Sequence, residues 1–334
     1  MLSAAHLKSF AREAGFHLSG LARAEPLDPE PLRTWLDAGM AASMSWMHAR
    51  FDERLDPRKL LPGARTVFAL ACCYLTREHR RDSPIALYAQ GRDYHATMLD
   101  RLRRLRRAIE SQYAGLETFA AVDTSAVMEK VWAAKAGLGW LGKNGLLLTR
   151  EHGSHVVLAT MLLADEVDAY DVPVREACGR CTACLDGCPT RAIVSPGVVD
   201  ARRCLSFQTI ENRELPPDEL RGRAANVAFG CDVCQQVCPW TRRDHACDDA
   251  RFLPREVASL GIDELALLTP ERFAELTRGT AVAHARYDGL CRNERPVLGT
   301  EWHPCVREIA SRLLEDPSPL VREAARWALL QLSE

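Results

Sequence analysis

Residues 177–193 read ACGRCTACLDGCPTRAI, with Cys178, Cys181, Cys184 and Cys188 spaced C-x2-C-x2-C-x3-C and closed by Pro189. The x2 spacings let three successive thiolates converge on one compact cluster. In two-cluster ferredoxins the x3-C-P cysteine serves the other cluster. Further along, GCDVCQQVCPW (230–240) supplies Cys231, Cys234 and Cys238, again followed by a proline. Two [4Fe–4S] clusters take about eight ligands and these runs hold seven. Cys204, in DARRCLSFQTI between them, is the natural eighth. The crossing rule then assigns Cys178, Cys181, Cys184 and Cys238 to one cluster, and Cys188, Cys204, Cys231 and Cys234 to the other. A pair of zinc sites is the alternative, but zinc usually takes two C-x2-C pairs, and a triple run ending in C-P is unusual for it.

The rest of the composition sets the context. The chain has 334 residues, a formal net charge of −2, 47% hydrophobic residues and 13 cysteines. That supports a sizeable core and two or three domains. The opening MLSAAHLKSFAREAGFHLSG has no apolar h-region, and no window approaches a membrane span, so a soluble cytoplasmic protein is expected. In a reducing compartment, clustered cysteines read as metal or redox ligands rather than disulfides. Near-neutral charge argues against a globally basic nucleic-acid binder but leaves room for a local patch. Cys72, Cys73, Cys247, Cys291 and Cys305 fall outside the pattern. Cys72 and Cys73 sit in TVFALACCYL, an apolar run that reads as a buried strand.

Residues 3–15 and EPLRTWLDAGM (30–40) read as amphipathic helices. HATMLDRLRRLRRAIESQY (95–113) places Leu99, Leu102, Leu105 and Ile109 on one helical stripe, with Arg101, Arg103, Arg104, Arg106 and Arg107 on the other faces. Those arginines read first as a solvated face and second as an RNA-contacting patch. TFAAVD (118–123) and HVVLATMLL (155–163) read as strands flanking a helix over SAVMEKVWAAKAGL (125–138). Alternating elements give an α/β or α+β unit over 1–170, followed by a cysteine-rich unit over 171–248 and a helical one over 249–334. The tail WHPCVREIASRLLEDPSPLVREAARWALLQL is two helices broken at Asp316–Pro319, similar to a HEAT-type repeat that must dock on neighbouring helices.

VDTSAVMEKVWAAKAGLGWLGKNGLLL (122–148) is the second informative stretch. Asp123 ends a strand, where a carboxylate can face a ligand crevice or simply cap the next helix. GLGWLG matches G-x-G-x-x-G but follows a helix rather than a strand, so it fails as a dinucleotide fingerprint.

Taken together these residues resemble the epoxyqueuosine reductase family, cobalamin-dependent enzymes of the last queuosine-forming step on tRNA. The resemblance runs nearly end to end. It rests on SMSWM, RLDPRKLLPGA, YAQGRDYH, the Asp123-to-GKN stretch, CGRCTACLDGCPTRAI, CLSFQTIE, GCDVCQQVCPW and DPSPLVREAARWAL. It implies a cobalamin-binding α/β (α+β) domain, a ferredoxin-like domain with two [4Fe–4S] clusters and a C-terminal helical HEAT-like domain. It further implies Asp123 as the proton donor, and Lys143, Asn144, Leu147, Ser206, Cys231 and Asp232 near the corrin. An acid must hold its proton near neutral pH, so burial is expected to raise the Asp123 pKa. The implied partners are a tRNA anticodon loop and an external low-potential donor of ferredoxin or flavodoxin type, with the protein a monomer off the membrane. Two departures stand out: Gln90 where the family commonly has an aromatic, and Ser125-Ala126 where it commonly has Gly-Pro. DYHATM (93–98) nearly matches D-x-H-x-x-G, but Met98 replaces the glycine, so His95 is not read as a cobalt ligand. A two-cluster electron carrier and a corrin-dependent reductase of a small molecule remain the competing readings.

Overall fold

The computed structural model describes residues 1–221, 223, 226–241, 246–298 and 306–331. Its centre is a four-stranded sheet of β1 (Leu18–Arg23), β2 (Thr66–Cys73), β3 (Thr118–Ala121) and β4 (Val156–Leu163), in the order β1-β2-β4-β3. Every pairing is antiparallel. β2 is buried along its whole length, as its unbroken apolar run requires of a central strand with both faces covered. One face packs on α1 (Ala4–Glu13) and α3 (Tyr94–Gln112) through Leu7, Phe68, Leu102 and Leu105. The other packs on α2 (Glu30–Asp37) and α4 (Glu129–Lys135) through Leu32, Val67 and Trp132. The architecture is thus mixed helix and sheet, of the α+β kind.

Three expectations change. Leu99 is 40% exposed, and Met98 takes its place on the buried stripe of α3. Arg101 is not on a solvated face: it is 1% exposed, donates to Cys72 Sγ at 2.5 Å and pairs with Asp249. The helix after Asp123 starts only at Glu129, with Met128 at its N-cap, so Asp123 caps nothing. Arg103 and Arg106 do lie on the surface, paired with Asp100 and Glu110.

Gln90 is wholly buried. Its Nε2 donates to the carbonyls of Arg80 (2.7 Å) and Ile85 (2.9 Å), and its Oε1 accepts from Arg80 N at 2.9 Å. The amide therefore closes the loop before α3 with three hydrogen bonds.

The cysteine-rich segment folds into two short helices, Ala183–Asp186 and Val233–Gln236, which pack together beside a small hairpin of Ile193–Ser195 and Val198–Val199. C-terminal helices follow. Ile262–Ala266 and Arg286–Leu298 receive Val306–Arg312 and Pro319–Gln331, with Ala266, Ile309, Leu313 and Ala325 forming a shared apolar cluster. Val321, Ala324, Ala325 and Ala328 are buried as their spacing predicts, and Leu329 is half-buried. Trp302 to Cys305, part of the predicted first tail helix, lies outside the described residues. Among the described residues no helix is long and apolar enough to cross a membrane.

Candidate active site

A cavity of about 510 Å³ opens where the sheet, the 123–146 segment and the cysteine-rich segment meet. That is within the usual range for a small-molecule or cofactor pocket. Val156, Val157 and Leu158 of β4 form one wall, and Tyr88 and Tyr94 another. Cys188, Cys204, Cys231 and Cys234 line the side facing the cluster segment.

Asp123 lines this cavity on a backbone held in the left-handed region, φ 54°. A non-glycine residue there costs of order 1–3 kcal/mol and persists only where its surroundings over-determine it. Here they do. Asp123 N donates to Glu129 Oε1 at 2.9 Å, and its Oδ2 accepts from the Tyr94 hydroxyl at 2.7 Å and from His95 Nε2 at 3.2 Å. His95 Nδ1 in turn meets Asp93 Oδ1 at 2.8 Å, and the Tyr94 and His95 rings stack at 4.1 Å. Both imidazole nitrogens are thus engaged by carboxylates.

The charge balance reverses one expectation. The His95 hydrogen bond holds the Asp123 carboxyl below the ordinary carboxylate range, outweighing the partial desolvation that opposes it; the side chain itself is exposed at the cavity mouth. Hydrogen bonds to Asp123 and Asp93 push His95 up to about 9. At neutral pH the pair is imidazolium and carboxylate, with the proton on His95. Glu129 is the group that burial pushes up, to about 7. Tyr94 keeps its hydroxyl proton, its pKa raised first by burial and then by Asp123.

The thiols fall into two neighbourhoods. Cys184 is raised by burial and then by Cys238, Cys178 and Cys181 around it. Cys231 is pushed up to about 12 by burial, with Cys204 and Cys188 next to it, and Cys234 is raised by burial and then by Cys231 and Cys204. Cys238 thus lies within electrostatic reach of the first run and Cys188 of the second, while Cys184 also acts on Cys234. Burial opposes thiolate formation on several of these side chains, so they suit ligation, in which bound metal supplies the compensating charge. Among the described residues no three His, Cys, Asp or Glu side chains converge on a single-ion site. Cys72, Cys73 and Cys291 are fully buried, and Cys247 donates to the Cys73 carbonyl at 3.1 Å, apart from both groups.

The residues expected near a corrin divide. Asn144, Ser206, Cys231 and Asp232 line the cavity. Asn144 is 5% exposed, and its Nδ2 has no partner among the described residues while its Oδ1 accepts from Leu146 N. An orphaned buried donor beside a cavity of this size fits a polar ligand group. Asp232 accepts from Leu87 N at 2.7 Å and from Gln235 Nε2 at 3.0 Å, and burial pushes it up to about 6. Leu147 does not line the cavity. It faces the core with Trp132 and Leu162, and Leu146 takes its place in the wall. Lys143 also lies off the wall and instead donates to the carbonyls of Gly179 and Cys181.

Glu129, Lys130, Tyr88, Tyr94 and His95 were not singled out from sequence as site residues. All sit in YAQGRDYH or VDTSAVMEK, the stretches flanking Gln90 and Asp123. Lys130 donates to the Gly145 carbonyl at 2.8 Å, and the left-handed φ of 74° at Gly145 turns that carbonyl toward it.

Comparison with known proteins gives one consistent result. The family model described as "Epoxyqueuosine reductase QueG, DUF1730" matches residues 54–124, and a 4Fe-4S double cluster binding domain matches 177–241. The chain is 42% identical over 313 residues to the epoxyqueuosine reductase of Gloeobacter violaceus, covering 89% of this chain and 96% of the relative. It is 36% identical over 340 residues to that of Escherichia coli, covering 98% and 89%. A crystal structure of epoxyqueuosine reductase with an epoxyqueuosine-modified tRNA-Tyr stem loop superposes with a TM-score of 0.91 at 28% identity, covering 99% of this chain and 90% of that one. The Streptococcus thermophilus epoxyqueuosine reductase superposes at 0.88 and 29%, covering 98% and 90%. With this identity sustained over almost the whole length, the chain belongs to the epoxyqueuosine reductase family.

Proposed function

We propose that this protein reduces epoxyqueuosine to queuosine at the wobble position of tRNA, with cobalamin in the cavity and two [4Fe–4S] clusters beside it. The observation that carries the reading is the opposition of Asp123 to Cys188, Cys204, Cys231 and Cys234 across one cavity. Removing an epoxide oxygen to leave an alkene takes two electrons and two protons and releases water. Cobalamin, when bound, supplies a reducing metal centre beside the epoxide carbon, fed by clusters whose potentials can reach about −700 mV. Cys178, Cys181, Cys184 and Cys238 would hold the outer cluster, and Cys188, Cys204, Cys231 and Cys234 the inner one. An external donor of ferredoxin or flavodoxin type would supply the electrons.

The chain's own residues do the rest. Asn144 Nδ2, Ser206 and the polar groups around Asp232 are positioned to anchor the corrin's polar periphery. The apolar N-terminal end of β4, Val156 to Leu158, gives the ring a dry wall. Asp123 transfers a proton to the departing oxygen, and general acid help of this kind is typically worth 10²–10⁴-fold. The substrate base reaches the cavity splayed out of an anticodon loop, as unstacked loop bases can be. The division into a cobalamin-binding unit (1–170), a cluster unit (171–248) and a HEAT-like helical unit (249–334), acting as a monomer in the cytoplasm, completes the proposal.

Anaerobic reconstitution with iron, sulfide and cobalamin, followed by reduction in the presence of a stem loop carrying epoxyqueuosine, tests it. Expected are about eight irons, one cobalt and conversion to queuosine. Full iron loading with no cobalamin uptake and no conversion would overturn the assignment in favour of an electron carrier.

A further inference from the structure

We propose that Asp93, His95 and Asp123 form a proton relay, in which His95 is the resting holder of the proton and Asp123 passes it on to the substrate oxygen. This rests on the reduction proposed above and adds a residue and an order of events to it. The geometry is continuous. Asp93 Oδ1 meets His95 Nδ1 at 2.8 Å, and His95 Nε2 meets Asp123 Oδ2 at 3.2 Å. Asp93 is also the N-cap of α3, accepting from His95 N at 3.0 Å, which fixes the imidazole to the start of a nineteen-residue helix. Such a carboxylate sets the ring's tautomer and stabilises its charged form.

The groups around the relay favour a charged imidazole. Asp93 and Asp123 flank it directly, and Tyr94 stacks on it and donates to the same Asp123 oxygen. Glu129 binds the Asp123 amide from α4. Arg92 acts on Asp93 and His284 on Asp123, both favouring the carboxylate. The raised pKa of His95, about 9, agrees with this arrangement.

The transfer balances without any further reagent. The Nε2–H bond of His95 breaks as an O–H bond forms at Asp123 Oδ2, converting an ion pair into neutral imidazole and neutral carboxyl. Rotation about the Asp123 Cβ–Cγ bond then exchanges the two oxygens. The turn gives up the Tyr94 and His95 bonds to Oδ2, while Oδ1 has no hydrogen-bond partner among the described residues to lose. The carboxyl gives its proton to the oxygen leaving the substrate carbon, and Asp123 returns to carboxylate. His95, whose side chain is 30% exposed, recovers its proton from solvent, and a second pass of the relay supplies the second proton that release of water requires. His95 is thus a positioning and proton-holding residue, and Asp123 alone touches substrate.

The test combines two measurements on the loaded enzyme. Exchange of the His95 ring C–H, followed by mass spectrometry across pH, reads its protonation directly. The expected midpoint is near pH 9 in the unaltered protein, falling toward about 6.5 in Asp123→Asn. Single-turnover reduction of the epoxyqueuosine stem loop should persist up to about pH 9, and His95→Gln should lose ~10²-fold at pH 8 while recovering toward pH 5. A His95 midpoint at or below about 6.5, or a His95→Gln profile matching the unaltered protein, overturns the relay. If no stem loop is reduced at any pH the functional reading fails, and the exchange midpoint still decides the relay.

Discussion

Lys143 Nζ donates to the Cys181 carbonyl at 3.0 Å, and the same ammonium reaches the Gly179 carbonyl at 2.7 Å. One side chain from the GKN turn therefore ties down the loop that carries the first two thiols of the outer group. A charged hydrogen bond is worth about 1.5–3 kcal/mol. Lys143→Met should leave cobalamin uptake unchanged and speed loss of the outer cluster several-fold on exposure to air. Iron content against time, compared with the unaltered protein, checks it.

The two thiol neighbourhoods predict distinct variants. Cys204→Ala should lower bound iron from about eight to about four while leaving the outer cluster's absorbance. Cys247→Ala, in contact with the Cys73 carbonyl and outside both groups, should keep all of it. Equal iron loss in both variants would refute the ligand assignment.

Asn144→Leu removes the orphaned Nδ2 donor without emptying the site. Losing a hydrogen bond to a buried polar group costs about 1–3 kcal/mol. Cobalamin affinity, followed by the corrin absorbance on titration, should fall roughly ten- to a hundred-fold. Iron content should not change.

Glu129 gives a pH signature. Burial raises its folded-state pKa from 4.5 to about 7, so between these values the folded chain binds more protons than the unfolded one. Stability must then fall as pH rises through that window and level off above it. Asp232, raised from 3.8 to about 6 by burial, contributes with the same sign. His95, raised from 6.5 to about 9, loses its contribution only at higher pH. Glu129→Gln keeps an acceptor for the Asp123 amide, and its melting temperature should decline less between pH 5 and 7 than that of the unaltered chain.

Much of the site was legible because ligand spacing is a local property. The C-P runs announce two clusters, and Cys204 follows from counting. Side-chain direction is harder. Leu146 and Leu147 differ by one position, and strand alternation sends one to the cavity and the other to the core. Arg101 looked like its neighbours because only the tertiary fold reveals Cys72 and Asp249 beneath it. The late start of α4 was hidden because DTSA reads as a helix entrance, whereas the backbone spends those residues turning Asp123 into a left-handed conformation. The pKa reversal came from the same source. The expectation assumed a buried carboxyl, but Asp123 is exposed, and a histidine twenty-eight residues upstream could not be placed 3.2 Å away.

The exchange of partners between the two cysteine runs also bears on how the protein is made. On the proposed assignment Cys238 completes the ligand set begun by Cys178, and Cys188 belongs to the set completed by Cys234. Neither iron site can close on a nascent chain until residues beyond 230 have left the ribosome, and whichever closes first brings the two segments together for the second. Metal loading should accordingly be cooperative, the site that closes first favouring closure of the second when both ligand sets are intact.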